Sequence, residues 1–336
     1  MGIMKGTQSI QFEQPVYIKG WASMVGQKEG EGPLKDSFDQ IVEDPYFGQD
    51  TWEESENQFQ KETALLAMRK AGVANTDIRY IFAGDLLPQL IGTSFGIMTL
   101  EIPWFGLYGA CSTMGESLSL GSMTISAGYA DNVIALTSSH LGGAEKTFRY
   151  PLEYASQRPP QSGWTVTGSG AVVLSSEKSD IKITGITTGK LVDLGVKDSM
   201  NMGAAMAPAA CDTIYHHFQD FGITPDYYDK IITGDLGSVG SEILIKLLKD
   251  NHYNIKNLHM DCGSEIFDAE KQNTNAGGSG CGCCASVLCG YILNKVQRGE
   301  WKRILFVPTG TLLNTISFNE GQAMPSIAHA VVIERI

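Results

Sequence analysis

The sequence predicts an α/β protein made of two related halves, and two observations support this prediction. Apolar strands alternate with helical segments along the 336 residues, which is typical of a mostly parallel sheet with crossover helices. Three pieces of the first half also recur in the same order in the second half, which indicates a duplicated unit. We therefore expect helix and sheet layers in which the two halves pack together.

The first repeated piece is a helix that ends at glycine, passes through an Asp-marked turn and enters a buried strand. It reads RKAGVANTDIRYIFAGDLL in the first half and FQDFGITPDYYDKIITGDLGS in the second. The second piece is a small-residue turn, a helix and a buried strand, GACSTMGESLSLGSMTISAGYADNVIALTSSH and GCGCCASVLCGYILNKVQRGEWKRILFVPTG. The third is a short apolar strand, GSGAVVLSSE and IAHAVVIERI. The repeats predict a first half of residues 1–180, carrying Cys111, and a second half of residues 181–336.

The predicted strands YIFAG, NVIALTS, KIITG and RILFVP are continuous apolar runs rather than strict alternations. Such runs are expected where both faces of a strand are covered. Two segments, residues 140–164 and residues 185–225, have no counterpart in the other half. Unmatched insertions of this kind commonly build the wall of a pocket.

The composition excludes several classes of protein. With 43% hydrophobic and 18% charged residues, the chain can bury a large core. A net charge of -12 without a cluster of Lys and Arg gives no footprint for nucleic acid or an anionic lipid surface. The N-terminus has no signal-peptide pattern, and no apolar run is long enough to cross a bilayer. We therefore expect a chain made and folded in a cytoplasm, with no nucleic-acid partner.

Seven cysteines in a chain without a secretory signal indicate free thiols. Four of them are bunched in GCGCCASVLC, at Cys281, Cys283, Cys284 and Cys289. This spacing is poor for zinc, because the adjacent Cys283 and Cys284 cannot easily turn toward one ion. We predict packing of small side chains at a loop-to-helix turn and no metal site.

Cys111 lies in the turn that begins the central helix of the first half. After Ser112, apolar or small residues recur at helical spacing at Met114, Leu118, Gly121 and Ile125, and Gly128 ends the predicted helix. Free backbone N–H groups and the helix dipole favour a thiolate here, and they can equally hold an oxyanion, a carboxylate or a phosphate. Three interpretations remain open from this stretch: a nucleophile, an anion-binding site, or a small residue that fills a tight turn.

The duplicated unit, the GACS cysteine and the echoed second-half turn resemble the thiolase fold, whose superfamily includes thiolases and ketoacyl-acyl carrier protein synthases. Within it, nearly the whole chain resembles the stage V sporulation protein AD family, a non-enzymatic branch found in spore-forming Firmicutes. Segments that carry this resemblance include FAGDLLPQLIGTSFG, SSHLGGAEKTFRYPLEYASQRPP, NMGAAMAPAACDTI and SFNEGQAMPSIAHAVV. The resemblance implies a thiolase-like fold with duplicated αβ halves in an αβαβα layered arrangement.

The family resemblance also implies a role in sporulation, which neither composition nor spacing shows. Members bind dipicolinic acid or its calcium chelate and assist its uptake into the developing spore, with membrane proteins of the same operon. For this chain the resemblance implies no cofactor, calcium only as part of the ligand, and a homodimer paired along a sheet edge of the first half. It also implies a peripheral location at the spore inner membrane, reached through those partners. The alternative is an acyl-thioester condensing or transfer enzyme, similar to ketoacyl synthase III, with Cys111 as nucleophile.

The second half favours the non-catalytic interpretation. Condensing enzymes of this fold use a second-half His, or a His and an Asn, to activate the thiol and polarise the substrate. The corresponding positions here hold Asp235, in IITGDLGS, and Cys281, after Gly280. A carboxylate near Cys111 favours protonated sulfur, because like charges resist ionising together. Cys111 is therefore expected to keep the anion-binding site without the chemistry.

A site for a small aromatic dicarboxylate needs N–H donors, one or two cations, hydroxyl groups and a flat apolar wall. The candidate ligand-binding residues are Cys111, Ser112, Ser139, His140, Arg149, Trp164, Asp235, Cys281 and His329, with Ser138 and Arg158 beside them. The other histidines are expected to be structural, His216 and His217 on a polar helix face and His252 and His259 in loops.

Overall fold

The computed structural model describes residues 2–148 and 157–336. The predicted strands YIFAG, NVIALTS, KIITG and RILFVP are all present, at residues 80–84, 132–139, 230–233 and 303–307. In the described part of the chain the strands are β1 (Gly2–Lys5), β2 (Ser9–Gly26), β3 (Gln40–Val42), β4 (Tyr80–Gly84), β5 (Trp104–Gly106), β6 (Asn132–Ser139), β7 (Trp164–Thr165), β8 (Gly168–Ser175), β9 (Ile181–Thr187), β10 (Lys230–Thr233), β11 (His259–Asp261), β12 (Gly278–Ser279), β13 (Arg303–Val307), β14 (Thr309–Thr311), β15 (Ser326–Ala328) and β16 (Ala330–Arg335).

The α-helices of the same part are α1 (Gln27–Gly30), α2 (Trp52–Ala71), α3 (Ile91–Ile97), α4 (Thr113–Ser126), α5 (Leu141–Phe148), α6 (Met202–Phe221), α7 (Gly237–Asp250), α8 (Cys262–Ile266), α9 (Cys281–Val287), α10 (Leu293–Gln297) and α11 (Thr315–Asn319). A π-helical stretch, Leu288–Ile292, joins α9 to α10. Among the residues described, no helix combines the length and the apolarity needed to span a membrane.

A twelve-stranded sheet runs through the described residues, and the order of its strands repeats. From edge to edge it reads β11, β10, β13, β16, β9, β2, β8, β6, β4, β5, while β1 and β3 pair with β2. Strands that the sequence repeats matched, β4 with β10, β6 with β13 and β8 with β16, lie at equal distances from the central β9–β2 contact. The division at residues 180 and 181 stays a prediction; β9 begins at Ile181.

The sheet is mixed, so the expectation of a mostly parallel sheet was wrong. β4 pairs in parallel with β5 and β6, and β10 pairs in parallel with β11 and β13. β8 and β16 run antiparallel to β6 and β13. The reason is visible at the pair Ser139 and Gly168, the last residue of β6 and the first of β8. The chain re-enters the sheet at the end where it left, which gives an antiparallel neighbour.

Buried apolar side chains form cores on the outer faces of the sheet and between its halves. α2 covers the first half over Ile81, Ile134 and Val173, and α6 and α7 cover the second half over Ile231 and Leu305. Between the two halves, α4 and α9 share one core with strands of both. The two halves of the continuous sheet therefore form two separate layers with α4 and α9 between them, and the layers follow the order helix, sheet, helix, sheet, helix. This arrangement brings the turn before α4 and the first turn of α9 together, since the Cys284 thiol donates to the carbonyl of Cys111 (3.6 Å).

Candidate functional site

Cys111 lies in a turn before α4 that is held by side-chain hydrogen bonds. It occupies the 3-10 turn Ala110–Ser112 and is 5% exposed. Ala110 has a φ of 49°, a left-handed conformation that costs energy for a residue with a Cβ. The Ser112 hydroxyl donates to the carbonyl of Gly109 (2.7 Å) and the Thr113 hydroxyl to that of Ala110 (2.7 Å), which holds the turn. The helix predicted after Ser112 is confirmed.

The fold gathers Cys111, Asp235 and Cys281 at one point, although they come from three distant segments. Asp235 follows β10, and Cys281 is the first residue of α9. The Cys111 thiol lies close enough to the Asp235 carboxyl group for the two to shift each other's pKa, and the Cys281 thiol donates to the carbonyl of Ser138 (2.9 Å). These three residues are named the inner cluster below.

Asp235 joins the loops around the inner cluster. One carboxyl oxygen accepts hydrogen bonds from the backbone N–H of Gly280 (2.8 Å) and the hydroxyl of Ser279 (3.2 Å), and the other accepts from the hydroxyl of Thr309 (3.1 Å). An acceptor at this position thus satisfies the N–H that precedes α9, in the manner of a helix cap. Asp235 therefore has a structural role that does not depend on a bound ligand.

The inner cluster disfavours a thiolate. Burial raises the pKa of the Cys111 thiol well above its ordinary value, and the neighbouring Asp235 and Cys281 raise it further. Burial likewise raises the pKa of Asp235 to about 7. The start of α4 could stabilise an anion, but burial and the neighbouring Asp235 oppose this effect. The protonated thiol of Cys111 is therefore the stable form.

The inner cluster has little space beside it. A cavity of about 20 Å³, the inner cavity, is lined by Leu86, Ala110, Cys111, Glu145, Thr165, Met202, Ser279, Thr311 and Leu313. β14 closes it from one side, because a Cβ on Gly310 would lie 2.3 Å from the Gly109 carbonyl oxygen and 2.8 Å from the Ser112 nitrogen. This volume is about that of a single water-sized probe and cannot admit an aromatic ring.

A much larger cavity of about 700 Å³, the outer cavity, opens beyond Glu145, which lines both cavities. Its walls are formed by Pro45, Tyr46, Trp52, His140, Leu141, Gly142, Glu145, Arg158, Trp164, Thr167, Asn273 and Asn275. Half of these residues come from the insertion at 140–164, as expected for a pocket wall. The volume is in the range of small-molecule sites. The pair β7–β12 separates the cavities, since Trp164 faces the outer one and Thr165 and Ser279 the inner one.

Two indole rings and a buried guanidinium give the outer cavity its chemistry. Trp52 stacks on Tyr46, with ring centroids 6.2 Å apart and an angle of 18° between the planes. Arg158 lies over the Trp164 ring, 4.6 Å from its centroid, and pairs with Glu145 (3.0 Å). Flat aromatic surfaces beside a cation suit a planar organic anion.

His140 lines the outer cavity as a neutral ring. Its Nδ1 accepts a hydrogen bond from the backbone N–H of Gly142 (3.1 Å), so its Nε2 donates to the carbonyl of Pro45 (2.9 Å). Burial lowers the pKa of His140. Its ring therefore supplies shape and not a positive charge.

The remaining predicted ligand residues are placed differently. Ser139 is buried, donates to the carbonyl of Val166 (2.7 Å) and accepts from the N–H of Gly282 (3.1 Å). His329 lines neither of the two cavities; its Nδ1 accepts from the N–H of Gly189 (3.3 Å), and burial lowers its pKa to about 4. Arg149 lies outside the described residues.

Two structural expectations about histidines were wrong. His217 is fully buried and does not lie on a polar face. In the core it contacts the hydroxyls of Thr187 (2.7 Å) and Tyr228 (2.6 Å). His259 begins β11 instead of lying in a loop. The cysteine cluster agrees with packing, since the thiols of Cys283 and Cys289 donate to backbone carbonyls.

Several residues of the outer cavity escaped prediction from the sequence. Tyr46 and Trp52 precede or begin α2, outside every repeated piece, and Asn273 and Asn275 lie in the loop before β12. Both asparagines have positive φ, 53° and 56°, and asparagine is enriched in that conformation. The spacing Asn-x-Asn before Ala-Gly-Gly was therefore a readable turn signal, although it does not point to a ligand.

Comparison with known proteins gives a consistent family. The model of the family described as stage V sporulation protein AD (SpoVAD) matches residues 6–334. Stage V sporulation protein AD of Bacillus subtilis (strain 168) is 41% identical over 332 residues, which cover 99% of this chain and 98% of that protein.

Solved structures show the same fold at low sequence identity. The 3-oxoacyl-[acyl-carrier-protein] synthase III of Aquifex aeolicus VF5 has a TM-score of 0.60 at 14% identity, covering 95% of this chain and 99% of that one. Human mitochondrial 3-ketoacyl-CoA thiolase has a TM-score of 0.61 at 12% identity, covering 96% and 99%. The predicted thiolase-like fold is confirmed. Identities this low carry the fold and not the activity.

Proposed function

The chain belongs to the stage V sporulation protein AD family, and from this premise we propose that it binds dipicolinic acid in the outer cavity and assists its uptake into the developing spore. The observation that carries the proposal is the outer cavity itself, a space of about 700 Å³ with two indole walls and a buried guanidinium. A planar pyridine ring with two carboxylates matches flat apolar walls and a charge-assisted donor.

The inner cluster is proposed to support the floor of this site without catalysis. Asp235 holds Ser279, whose strand β12 pairs with β7 and so carries Trp164. The Cys111 thiol is kept protonated by burial and by Asp235, which removes the thiolate that acyl transfer requires. The condensing-enzyme alternative therefore has the fold in its favour and the electrostatics of the cluster against it.

The accompanying proposals concern calcium and partners. No cofactor is proposed, and calcium enters only as part of a calcium chelate of the ligand. Membrane proteins of the same sporulation operon are the proposed partners, and through them the protein is placed peripherally at the spore inner membrane.

A homodimer is proposed along the edge of the first half, where β5 ends the sheet. Phe105 on that strand is 51% exposed and Phe95 on the adjoining α3 is 60% exposed. Exposed apolar side chains beside an open strand edge favour pairing. Analytical ultracentrifugation of wild type and a Phe95→Glu/Phe105→Glu variant tests this, and a wild type that sediments as a monomer at micromolar concentration excludes it.

Calorimetric titration with dipicolinate, with and without calcium, tests the proposed ligand. We expect saturable binding by wild type, at least tenfold weaker binding by Trp164→Ala, and unchanged binding by Tyr129→Ala, a control at a side chain that is 73% exposed. An absence of binding by wild type in both conditions overturns the proposal. A Cys111→Ala variant locates the ligand, because a loss as large as that of Trp164→Ala would move the site to the inner cavity.

Intact-mass spectrometry after incubation with acetyl-CoA tests the enzymatic alternative. We expect the mass of the unmodified chain. A persistent acetyl adduct that disappears in Cys111→Ser would establish acyl transfer instead.

A further inference from the structure

We propose that Gly142 positions Trp52 in the wall of the outer cavity, and that affinity for the ligand depends on the absence of a side chain at residue 142. The inference rests on the proposed function and adds a residue on which that binding depends. Both residues line the outer cavity and both are partly exposed. Glycine weakens a helix relative to alanine, so a glycine at the second residue of α5 needs a compensating contact.

The Gly142 backbone lies against a face of the indole. A Cβ built on Gly142 would lie 2.3 Å from Cδ2 of Trp52, 2.6 Å from Cε3 and 2.7 Å from Cγ. Cδ2 is bonded to both of the other atoms. An atom that approached in the plane of the ring would have to come between Cγ and Cε3, and it would be nearer to them than to Cδ2. The Cβ would therefore meet the face of the ring, and only a residue without a Cβ leaves the ring where it stands.

Other contacts hold the indole against this glycine. Trp52 is the first residue of α2, and its ring stacks on Tyr46 with the centroids 6.2 Å apart. Lys146, one helical turn after Gly142 on the same face of α5, has its Nζ 5.5 Å from the ring centroid and pairs with Glu53 (2.5 Å). The ring therefore has neighbours from the loop before α2 and from two positions of α5.

The loop that carries Tyr46 is tied to the start of the same helix. The ring of His140, the residue before α5, hydrogen-bonds the carbonyl of Pro45 (2.9 Å). An alanine at residue 142 would have to separate the ring and the helix by about 1.1 Å, from 2.3 Å to the 3.4 Å at which ordinary van der Waals contact begins. Pro45, Tyr46 and Trp52 all line the outer cavity, so this displacement would change the shape of its wall.

Gly143 offers a matched comparison within the same helix. A Cβ on Gly143 would meet two methyl carbons of Leu87 at 3.4 and 3.7 Å, which is ordinary contact, and Gly143 does not line the outer cavity. Alanine changes the intrinsic helix propensity equally at the two positions. A difference between the two alanine variants therefore reports the contact with Trp52.

Calorimetry of the full chain with pyridine-2,6-dicarboxylate tests the inference, with thermal unfolding of every variant. We expect Gly142→Ala to bind about fivefold or more weakly than wild type, and Gly143→Ala to stay within about twofold. Trp52→Ala should weaken binding about tenfold. In Trp52→Ala/Gly142→Ala the added methyl group has no ring to displace. The double variant should therefore bind as Trp52→Ala does, a non-additivity expected of residues in contact.

Wild-type affinity in Gly142→Ala or in Trp52→Ala overturns the inference, and so do equal losses in Gly142→Ala and Gly143→Ala. A further loss on adding Gly142→Ala to Trp52→Ala also overturns it, because residue 142 would then act other than through the indole. That comparison stays valid if Gly142→Ala is unstable on its own, since the double variant lacks the clash. In each case binding by wild type leaves the proposed function standing, whereas no binding by wild type removes both.

Discussion

The thiol of Cys111 and the carboxyl group of Asp235 are both buried, and they lie close enough that each shifts the pKa of the other. Burial raises the pKa of both groups; Asp235 raises the pKa of the Cys111 thiol further, whereas the thiol partly offsets the effect of burial on the pKa of Asp235. The carboxyl group is additionally tied to the N–H of Gly280 and the hydroxyl of Thr309. The Asp235 carboxyl group therefore influences the protonation of the Cys111 thiol, the start of α9 and the position of β14.

Asp235 should make stability depend on pH. Its pKa rises from 3.8 to about 7 on folding, so between these values the folded state binds more protons than the unfolded state. The free energy of unfolding then falls as pH rises through this window, by at most about 1.4 kcal/mol per pH unit for one group. We expect Asp235→Asn to flatten the slope between pH 4.5 and 7.5, measured by urea unfolding at four pH values.

The appropriate control is Asp36→Asn, because Asp36 is exposed and should leave the slope unchanged. Glu29, whose pKa burial also raises to about 7, contributes a slope of the same sign in every variant. Only the difference between wild type and Asp235→Asn reports on Asp235. A difference of zero, or a steeper slope in Asp235→Asn, contradicts this expectation.

Glu56 and Asp85 form a second buried acidic pair, and the structure assigns them unequal roles. Asp85 accepts hydrogen bonds from the N–H of Leu87 (2.7 Å) and from the N–H (2.7 Å) and hydroxyl (2.6 Å) of Thr93. Glu56 accepts one, from the hydroxyl of Ser138 (2.7 Å), and its buried Oε2 has no partner among the described residues. Burial and the neighbouring Asp85 raise the pKa of Glu56 well above its ordinary range.

The two residues should therefore respond differently when each carboxyl group is replaced by an amide. Glu56→Gln should change the free energy of unfolding by less than about 1 kcal/mol at pH 7, because burial and the neighbouring Asp85 favour the uncharged carboxyl group, which an amide resembles. Asp85→Asn should cost about 2–3 kcal/mol, because an amide N–H₂ would meet the donors of Leu87 or Thr93. Urea unfolding of the two variants checks the order, and a costlier Glu56→Gln than Asp85→Asn would refute the assignment.

The sequence predicted features that local patterns encode. The strands β4, β6, β10 and β13 were readable as apolar runs, and α4 was readable from the spacing after Ser112. The expectation that Asp235 and Cys281 lie near Cys111 followed from the resemblance to the condensing enzymes of the thiolase fold. The outer cavity did not follow, because Trp52 and Asn275 reach it from segments outside the repeats, and only the folded chain brings them together.

The error at His217 has a simple geometric origin. Successive residues of an α-helix point about 100° apart, so the adjacent His216 and His217 cannot share one face. His216 lies beside Asp212 at the partly exposed side of α6, and His217 therefore points into the core. The polar partners that make its burial tolerable, Thr187 and Tyr228, come from β9 and from the residues before β10 and could not be paired with it from sequence.

Gly310 should be irreplaceable where β14 presses on the Cys111 turn. An alanine Cβ there would lie 2.3 Å from the Gly109 carbonyl oxygen, and backbone on both sides leaves no room to yield. We expect Gly310→Ala to lower the free energy of unfolding by several kcal/mol, about as much as severe overpacking. Gly143→Ala is the matched control: it lies in α5, its nearest neighbour is 3.4 Å away, and it should be neutral or stabilising by up to about 1 kcal/mol. Thermal and urea unfolding compare them, and equal stabilities would contradict the close approach seen at Gly310.

The buried chain of polar groups around His217 gives the last prediction. Asp220 accepts from Ser9 (2.8 Å), Ser9 contacts Thr187 (2.7 Å), and Thr187 contacts Nδ1 of His217 (2.7 Å). With a carboxylate acceptor at one end, each hydroxyl donates toward Asp220, so Nδ1 carries the proton and Nε2 accepts from the hydroxyl of Tyr228.

Burial lowers the pKa of His217 to about 3, so the ring stays neutral and depends on that donor. Tyr228→Phe would leave Nε2 buried without a hydrogen bond and should cost about 1–3 kcal/mol of unfolding free energy. Tyr227→Phe is the neighbouring control, since Tyr227 is 41% exposed and should change stability by less than about 0.5 kcal/mol. Urea unfolding at pH 7 measures both. Equal effects of the two substitutions would show that the hydroxyl of Tyr228 does not stabilise His217.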